Sequence, residues 1–364
     1  MKDMKHASSA VAVSPVHPSP KKNQKKLKSS TSPRTTILQL VMGRWTAQMI
    51  GMAAELGLAD QIQTGPKTVE ELAVAAGLHA PSLYRLLRAL ANFQIFAEQE
   101  DGCFVQTPMS DALRSDVPYS IRSFARFDNR SWVIRSWMQI GHSLRTGASA
   151  FEQAYGMPVF EYLSQNPEEM RIFKDARRGF TLEAAAAVAK AYDFSSIRTL
   201  ADIGGGQGLV LSFALAKYPT LRGILFELPN VVKGASGFLR SRGLENRVEV
   251  RGGSFFDAVP SGADAYLFTH ILHAWSDADC LRILKNVHAA TKPGAKMLIV
   301  EAVVEISQQS RLATSLDIQR LLMTHGGKER TRIEWQKLLG AGGFRLSRVV
   351  PTASYASVIE AVPQ

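Results

Sequence analysis

The sequence predicts an α/β protein in which a mostly parallel sheet, with helices on both faces, fills the second half of the chain and a helical domain containing a winged helix precedes it. Three observations carry this expectation. Strand-like apolar runs at 199–204, 223–228, 247–252, 265–271 and 297–304 alternate with helical runs, and a closing pair follows at 344–351 and 355–361. A cluster of alternating glycines, Gly204, Gly206 and Gly208, separates the first of these strands from the apolar helical run Leu209 to Lys217. Upstream, two short helices and a hairpin follow one another between residues 69 and 107.

The 364 residues suffice for two domains, each with its own core. A composition of 46% hydrophobic and 21% charged residues is that of a globular protein, and no apolar run approaches the roughly 20 residues of a membrane helix, so no membrane partner is expected. Cys103 and Cys280 are the only cysteines. They form no disulfide framework and no metal-ligand cluster, and they suit a reducing, cytoplasmic compartment. The net charge of +11 is unevenly spread: residues 1 to 34 carry eight lysines and arginines against Asp3 alone, so that seven of the surplus charges sit in this tail. Rich in Ser, Pro and Lys, residues 1–35 cannot bury enough apolar surface to offset their ordering entropy and are expected to be a disordered, solvated basic tail.

Order is expected from Thr36. Ile37, Leu38, Leu40, Val41, Trp45, Met49 and Ile50 recur at helical spacing, and so apolar an opening helix needs something large to pack against. Thr68-Val-Glu-Glu71 is a capping box for a helix from Val69 to Ala76, stopped by Gly77. A second helix, Ala80 to Asn92, aligns Leu83, Leu86, Leu87 and Leu90, and strands at Ile95–Glu98 and Cys103–Thr107 flank a turn at Asp101-Gly102. This order of elements is a winged helix, with Tyr84, Arg85 and Arg88 as the side chains that would meet DNA, although two arginines reach few phosphates. From Tyr119 to Phe180 aromatic residues recur at helical spacing, and a helical run from Leu182 to Ala191 leads into the sheet.

The glycine cluster carries the first chemical signal. Its spacing is Asp-x-Gly-x-Gly-x-Gly, and Leu209 stands where a dinucleotide fingerprint wants its third glycine, so a pyrophosphate is disfavoured. Asp202, just ahead of the glycines, suits a ligand with an ammonium group, as methionine-derived sulfonium compounds have. Glu227, nineteen residues past Gly208 at the end of the next strand, can accept from both hydroxyls of a ribose.

These residues resemble the class I S-adenosylmethionine-dependent methyltransferases, and within them the two-domain small-molecule O-methyltransferases of plant caffeate and bacterial polyketide-tailoring type. From about residue 38 the blocks fall in family order: the glycine loop, Phe226-Glu227-Leu228-Pro229, Gly252-Gly253-Ser254-Phe255-Phe256, Ile271 to Asp277, and Gly326 to Thr331. The resemblance implies a Rossmann-like methyltransferase domain over 191–364 that binds S-adenosyl-L-methionine. It also implies a winged-helix dimerisation and acceptor-pocket domain over 36–190, which makes the protein a homodimer and disfavours nucleic acid. The implied cofactor set is Asp202, Gly204, Gly206, Gly208, Glu227, Ser254, Phe255 and Thr269, converging at the carboxyl ends of the strands. Ser254 stands where the family usually has an acidic residue for the adenine amine, Lys174 and Arg177 where it often has Asn and Met, and Ala274 where many members have Asp. Leu322, Met323 and His325 are implied to face the acceptor.

Methyl transfer from a sulfonium is an in-line displacement with an activated donor, so the enzyme must position the reactants and remove the acceptor's proton. His273 is the implied general base, oriented by Glu301 and Glu329. A phenol of pKa about 10 facing an imidazole near 6.5 loses its proton uphill by about 5 kcal/mol, so proton and methyl transfer should go together. His270 lies at a metal-like spacing from His273, but no third ligand follows, and it reads as a core histidine with no metal expected. The expected activity is O-methylation of a small aromatic or polyketide-like metabolite. The alternatives are a cofactor-binding relative with non-methylating chemistry, hydroxylation or decarboxylation, suggested by Ala274 and Ser254, and a winged-helix DNA-binding regulator.

Overall fold

The computed structural model describes residues 32–305 and 310–364. Residues 1–31 of the expected disordered tail lie outside these. The chain divides into two units, one ending at Arg44 and one running from Trp45 to Gln364. The described part of the first unit is helical from Pro33, three residues before the expected start, within the helix Pro33–Glu55. Proline suits a first helical turn, where its missing N–H is no loss, and Ser32 Oγ accepts from the Thr35 N–H at 3.2 Å. Ile37, Leu38, Leu40 and Val41 are 52–70% exposed on this helix.

The second unit opens with the end of that helix and then forms the two short helices and hairpin expected between residues 69 and 107. The capping box at Thr68 and Glu71 forms, and Gly77 ends the helix in the left-handed region at φ 65°. Helix Ala80–Asn92 buries Leu83, Leu87 and Leu90 against it, and strands β1 (Phe96–Glu98) and β2 (Phe104–Gln106) close the hairpin. The aromatic-rich stretch then folds into short helices between Arg122 and Gln165 and one long helix, Pro167–Ala191. Its rings meet edge-on: Phe127 to Trp132 at 5.5 Å and Trp132 to Phe151 at 5.8 Å between centroids.

The sheet has seven strands: β3 (Thr199–Ile203), β4 (Arg222–Glu227), β5 (Val248–Gly252), β6 (Ala265–Thr269), β7 (Lys296–Glu301), β10 (Phe344–Pro351) and β11 (Ser357–Pro363). They lie in the order β10-β11-β7-β6-β3-β4-β5. The first five are mutually parallel, and β11 pairs antiparallel with β7 and β10. The chain moves outward from β3 through β4 to β5, then crosses to β6 on the other side of β3. The order therefore reverses at β3, which is where ligands bind in such sheets. Alternation buries Leu200, Leu225, Leu267 and Leu298 on one face and Ala201, Ile203, Phe268 and Ile299 on the other.

The strand expected over 297–304 breaks at Ala302. Residues beyond the break form β8 (Val303–Val304), which pairs with β9 (Arg330–Thr331) in a parallel ladder of its own. Pairing Val303 with Arg330 brings the segment that carries Glu329 beside the end of β7, which carries Glu301.

Candidate active site

The glycine loop leaves β3 with Gly204 at φ 69° and Gly206 at φ 61°, conformations that cost a side chain dearly. At Gly204 a Cβ would lie 2.7 Å from the flexible end of the Ile271 side chain, which can shift, and at Gly206 it would point into open space, so at both positions it is the positive φ that calls for glycine. Glu227, at the end of β4, accepts from the Gly206 N–H at 3.1 Å and from the Leu228 N–H at 2.7 Å. Asp202 is 1% exposed beneath the loop, packed against Gly205, and neither carboxylate oxygen has a hydrogen-bond partner among the described residues. Burial, with the nearby Glu227 charge adding to it, pushes this carboxyl up to about 7.

Thr269 ends β6 with its Oγ1 buried and likewise without a partner among the described residues. The Phe255 ring comes within 3.6 Å of where a Gly204 Cβ would be. Ser254 turns its hydroxyl to the Phe256 N–H at 3.2 Å, stabilising its own turn. The structure thus gathers the eight expected cofactor residues around the carboxyl ends of β3, β4, β5 and β6. Asp202 lies under the loop.

His273 sits in a one-turn 3₁₀ helix, Leu272–Ala274, just after β6. Its Nδ1 is 2.8 Å from Glu329 Oε1, and both side chains are buried. Burial raises the Glu329 carboxyl, and Arg320 beside it works the other way to favour the ionised form. An ionised carboxylate only accepts, so Nδ1 then carries the proton and the lone pair is on Nε2. That nitrogen is buried and has no hydrogen-bond partner among the described residues. Glu301 reaches the histidine through the backbone, its Oε1 accepting from the His273 N–H at 3.1 Å. Burial, then the charge of Glu329, raises the Glu301 carboxyl to about 8. Glu329 in turn accepts from Arg320 Nε at 3.3 Å. Burial, followed by Arg320, Arg177 and Arg330, holds the His273 imidazole well below its ordinary value. His273, Glu301 and Glu329 offer donor atoms within 4.8 Å of one another, a spacing a cation could use. Arg320 already brings positive charge to that cluster.

His273 lines a cavity walled largely by aromatic side chains. The long helix contributes Phe173, Ala176, Arg177, Phe180 and Thr181, spaced to share one face, and the helix Arg311–Met323 contributes Leu316, Gln319, Arg320 and Met323. Phe124, Phe127 and Trp132 close the aromatic wall.

Several details depart from expectation. Of the three residues expected to face an acceptor, Met323 lines the cavity, Leu322 is fully buried in the helical core, and the His325 side chain is 82% exposed. Of the two departures on the long helix, Lys174 is exposed and Arg177 lines the cavity, because only Arg177 falls on the inward stripe. His270, expected as a core histidine, is buried but also lines the cavity. Its ring stacks 5.7 Å from His273 and 5.5 Å from Tyr355, and its Nε2 lies 3.2 Å from the Tyr355 hydroxyl. The His-x-x-His spacing was the one sequence signal for this pairing. Arg320 and Tyr355 stand in no motif, and only the fold brings them here.

A sulfonium-suited glycine loop beside a buried histidine in an aromatic cavity defines a small-molecule methyltransferase. The comparisons agree. The sequence matches the O-methyltransferase domain family over residues 137–345 and the O-methyltransferase dimerisation domain family over residues 38–116. It is 40% identical to the phenazine O-methyltransferase of Lysobacter antibioticus, covering 90% of this chain and 95% of that protein. It is 37% identical to the mitomycin biosynthesis 6-O-methyltransferase of Streptomyces lavendulae, covering 87% and 90%. Among solved structures, an O-methyltransferase from neocarzinostatin biosynthesis, in complex with S-adenosylmethionine and 2-hydroxy-5-methyl naphthoic acid, matches with a TM-score of 0.75 and 32% identity over 88% of this chain and 96% of that one. The chain belongs to the S-adenosylmethionine-dependent O-methyltransferase family. The DNA-binding and non-methylating alternatives find no support in these matches. Among the described residues, no helix is long and apolar enough to cross a membrane.

Proposed function

We propose that this enzyme methylates a hydroxyl of a small planar aromatic metabolite, with His273 as general base. The unpartnered Nε2 of His273, on the wall of an aromatic cavity with Nδ1 held by Glu329, is the observation that carries the reading. The relatives' names, a phenazine O-methyltransferase and a 6-O-methyltransferase of mitomycin biosynthesis among them, support small ring-bearing acceptors.

The residues fit S-adenosylmethionine on three counts. The loop is open at Gly206, Glu227 presents a carboxylate at a strand end, and Asp202 and Thr269 keep buried polar atoms without partners among the described residues. Gly204, Gly206 and Gly208 would admit the methionine portion, Glu227 the ribose, and Ser254 and Phe255 the adenine. When bound, the cofactor supplies a methyl group already activated for displacement. The protein's own work is positioning and proton removal. Burial keeps His273 neutral, so its lone pair is always available. The same burial makes the imidazolium unfavourable unless the Glu329 carboxylate stabilises it, which ties proton uptake to methyl transfer.

The division into a dimerisation and acceptor-pocket domain over 36–190 and a catalytic domain over 191–364 belongs to this reading, supported by the spans of the two family matches. So does a homodimer, supported by the exposed Ile37, Leu38, Leu40 and Val41 and by the dimerisation-domain match. A cytoplasmic setting is supported by the free thiols of Cys103 and Cys280.

The test is calorimetric titration with S-adenosylmethionine and S-adenosylhomocysteine, followed by labelled-methyl transfer to phenolic acceptors. Micromolar binding in the wild type, roughly 100-fold weaker in Gly206→Val and weakened in Glu227→Ala, is expected. His273→Ala should bind the cofactor normally and lose roughly 10²- to 10⁴-fold in transfer. Binding of neither compound, or full transfer by His273→Ala, would overturn the reading.

A further inference from the structure

Arg177 brings a charge to the cavity that the protein does not neutralise. Its Nη2 donates to the His270 carbonyl at 3.2 Å and its guanidinium carbon lies 5.6 Å from the centre of the Phe173 ring. Of the five N–H donors of a guanidinium, this is the one engaged among the described residues. No described carboxylate forms an ion pair with it, whereas Arg320, the other arginine of the wall, is committed to Glu329. Phe124, Phe173 and Phe180 line the same cavity, together with His270, Arg320 and Tyr355. A guanidinium among aromatic rings is costly unless a partner satisfies it, and burial followed by Arg320 draws Arg177 down to about 10.

We propose that the acceptor supplies the missing partner: it is a planar aromatic hydroxy acid whose carboxylate pairs with Arg177 while its hydroxyl meets His273. This deepens the methyltransferase reading and rests on it. The two contact points meet at one turn, although Arg177 reaches it from the long helix. Arg177 is tied to the carbonyl of His270, whose ring stacks on that of His273, so anion and hydroxyl are read from neighbouring parts of one wall. A guanidinium matches a carboxylate through two parallel hydrogen bonds, which fixes the ring's rotation and thereby selects which hydroxyl faces the base. The aromatic wall favours a carboxylate carried on a flat ring over free phosphate or a phosphate ester, which would need many more donors.

The experiment is calorimetric binding of hydroxynaphthoic acid, its methyl ester and naphthol to protein saturated with S-adenosylhomocysteine, repeated with the single-ring series salicylic acid, methyl salicylate and phenol. The acid of one series should bind wild type about 10- to 100-fold more tightly than its ester or its decarboxylated analogue. Arg177→Gln should erase that preference and leave S-adenosylhomocysteine affinity unchanged, and Arg177→Lys should restore part of it. If acid and ester bind alike, if no probe binds, or if Arg177→Gln weakens all probes equally, the proposal is overturned. Equal methylation of neutral and acidic probes would sink the anionic acceptor and leave the methyltransferase standing. Failure to bind S-adenosylhomocysteine would sink both.

Discussion

His273 and Glu329 are joined by a buried 2.8 Å contact between Nδ1 and Oε1, although the two residues come from different loops, one following β6 and one preceding β9. The carboxylate fixes which imidazole nitrogen is bare, and it is the one negative group positioned to balance a proton arriving on the other. Catalysis should therefore depend on the charge of Glu329 as well as on its shape.

Glu329→Gln keeps the size and removes the charge. An amide can present either its oxygen or its NH₂ to Nδ1, so the tautomer is no longer fixed, and kcat should fall roughly 10²- to 10⁴-fold with cofactor binding unchanged. The wild-type pH profile makes a second demand. Burial and three arginines hold His273 well below its ordinary value, so kcat/KM should stay flat as pH falls from 8 past 6. An acidic limb near pH 6.5 would show that His273 titrates like a solvent-exposed histidine.

Glu301 should behave as a neutral acid at pH 7. Its carboxyl is raised from 4.5 to about 8 by burial and by Glu329, so the native state holds a proton that the unfolded chain releases. The sign follows: the stabilisation is fully present below pH 4.5 and is lost as pH rises through 8. Melting curves at pH 6 to 9 should show the wild type losing stability toward the alkaline end. Glu301→Gln, which mimics the protonated form, should match wild type most closely near pH 4.5, melt above it by pH 7, and lose the part of the decline with pH that Glu301 causes. Equal pH sensitivity in the two proteins would refute a neutral Glu301.

The sequence made the sheet legible because its strands are short apolar runs punctuated by turns, and the loop legible because alternating glycines have few other uses. Glu227, His273, Glu301 and Glu329 could be named because each sits at a strand end or in a compact block. What stayed hidden was orientation. The helical register that turns Arg177 inward and Lys174 outward depends on which face of a long helix meets the cavity, and aromatic residues on several faces blur that choice. Glu301 was expected to orient the imidazole; the break at Ala302 and the pairing of β8 with β9 instead give it the backbone of His273 and leave the ring to Glu329. His270 looked like core because its partner, Tyr355, lies 85 residues away.

Arg330 belongs to the Gly326–Thr331 block, and the structure gives it a role that can be measured. It is fully buried, and its guanidinium donates to the carbonyls of Leu272 and Trp275, both at 3.2 Å, and to Asp277 Oδ1 at 2.8 Å, with its carbon 5.2 Å from the Trp335 ring centre. Those carbonyls bracket the turn that carries His273, so Arg330 acts through the turn and touches no substrate. Arg330→Met would fill much of the volume but leave two carbonyls without their charged donor, while Asp277, half exposed, keeps Lys328 at 2.8 Å; the loss should be about 1–3 kcal/mol for each such carbonyl. For a protein of this size, each kcal/mol corresponds to a melting temperature lower by about 1.3 °C. Arg330→Lys keeps the charge without the fork that spans both carbonyls, so it should fall between the two. If Arg330→Lys melts like wild type, charge alone suffices. If Arg330→Met does, the turn is held by Glu301 and the surrounding packing, and the guanidinium is dispensable to it.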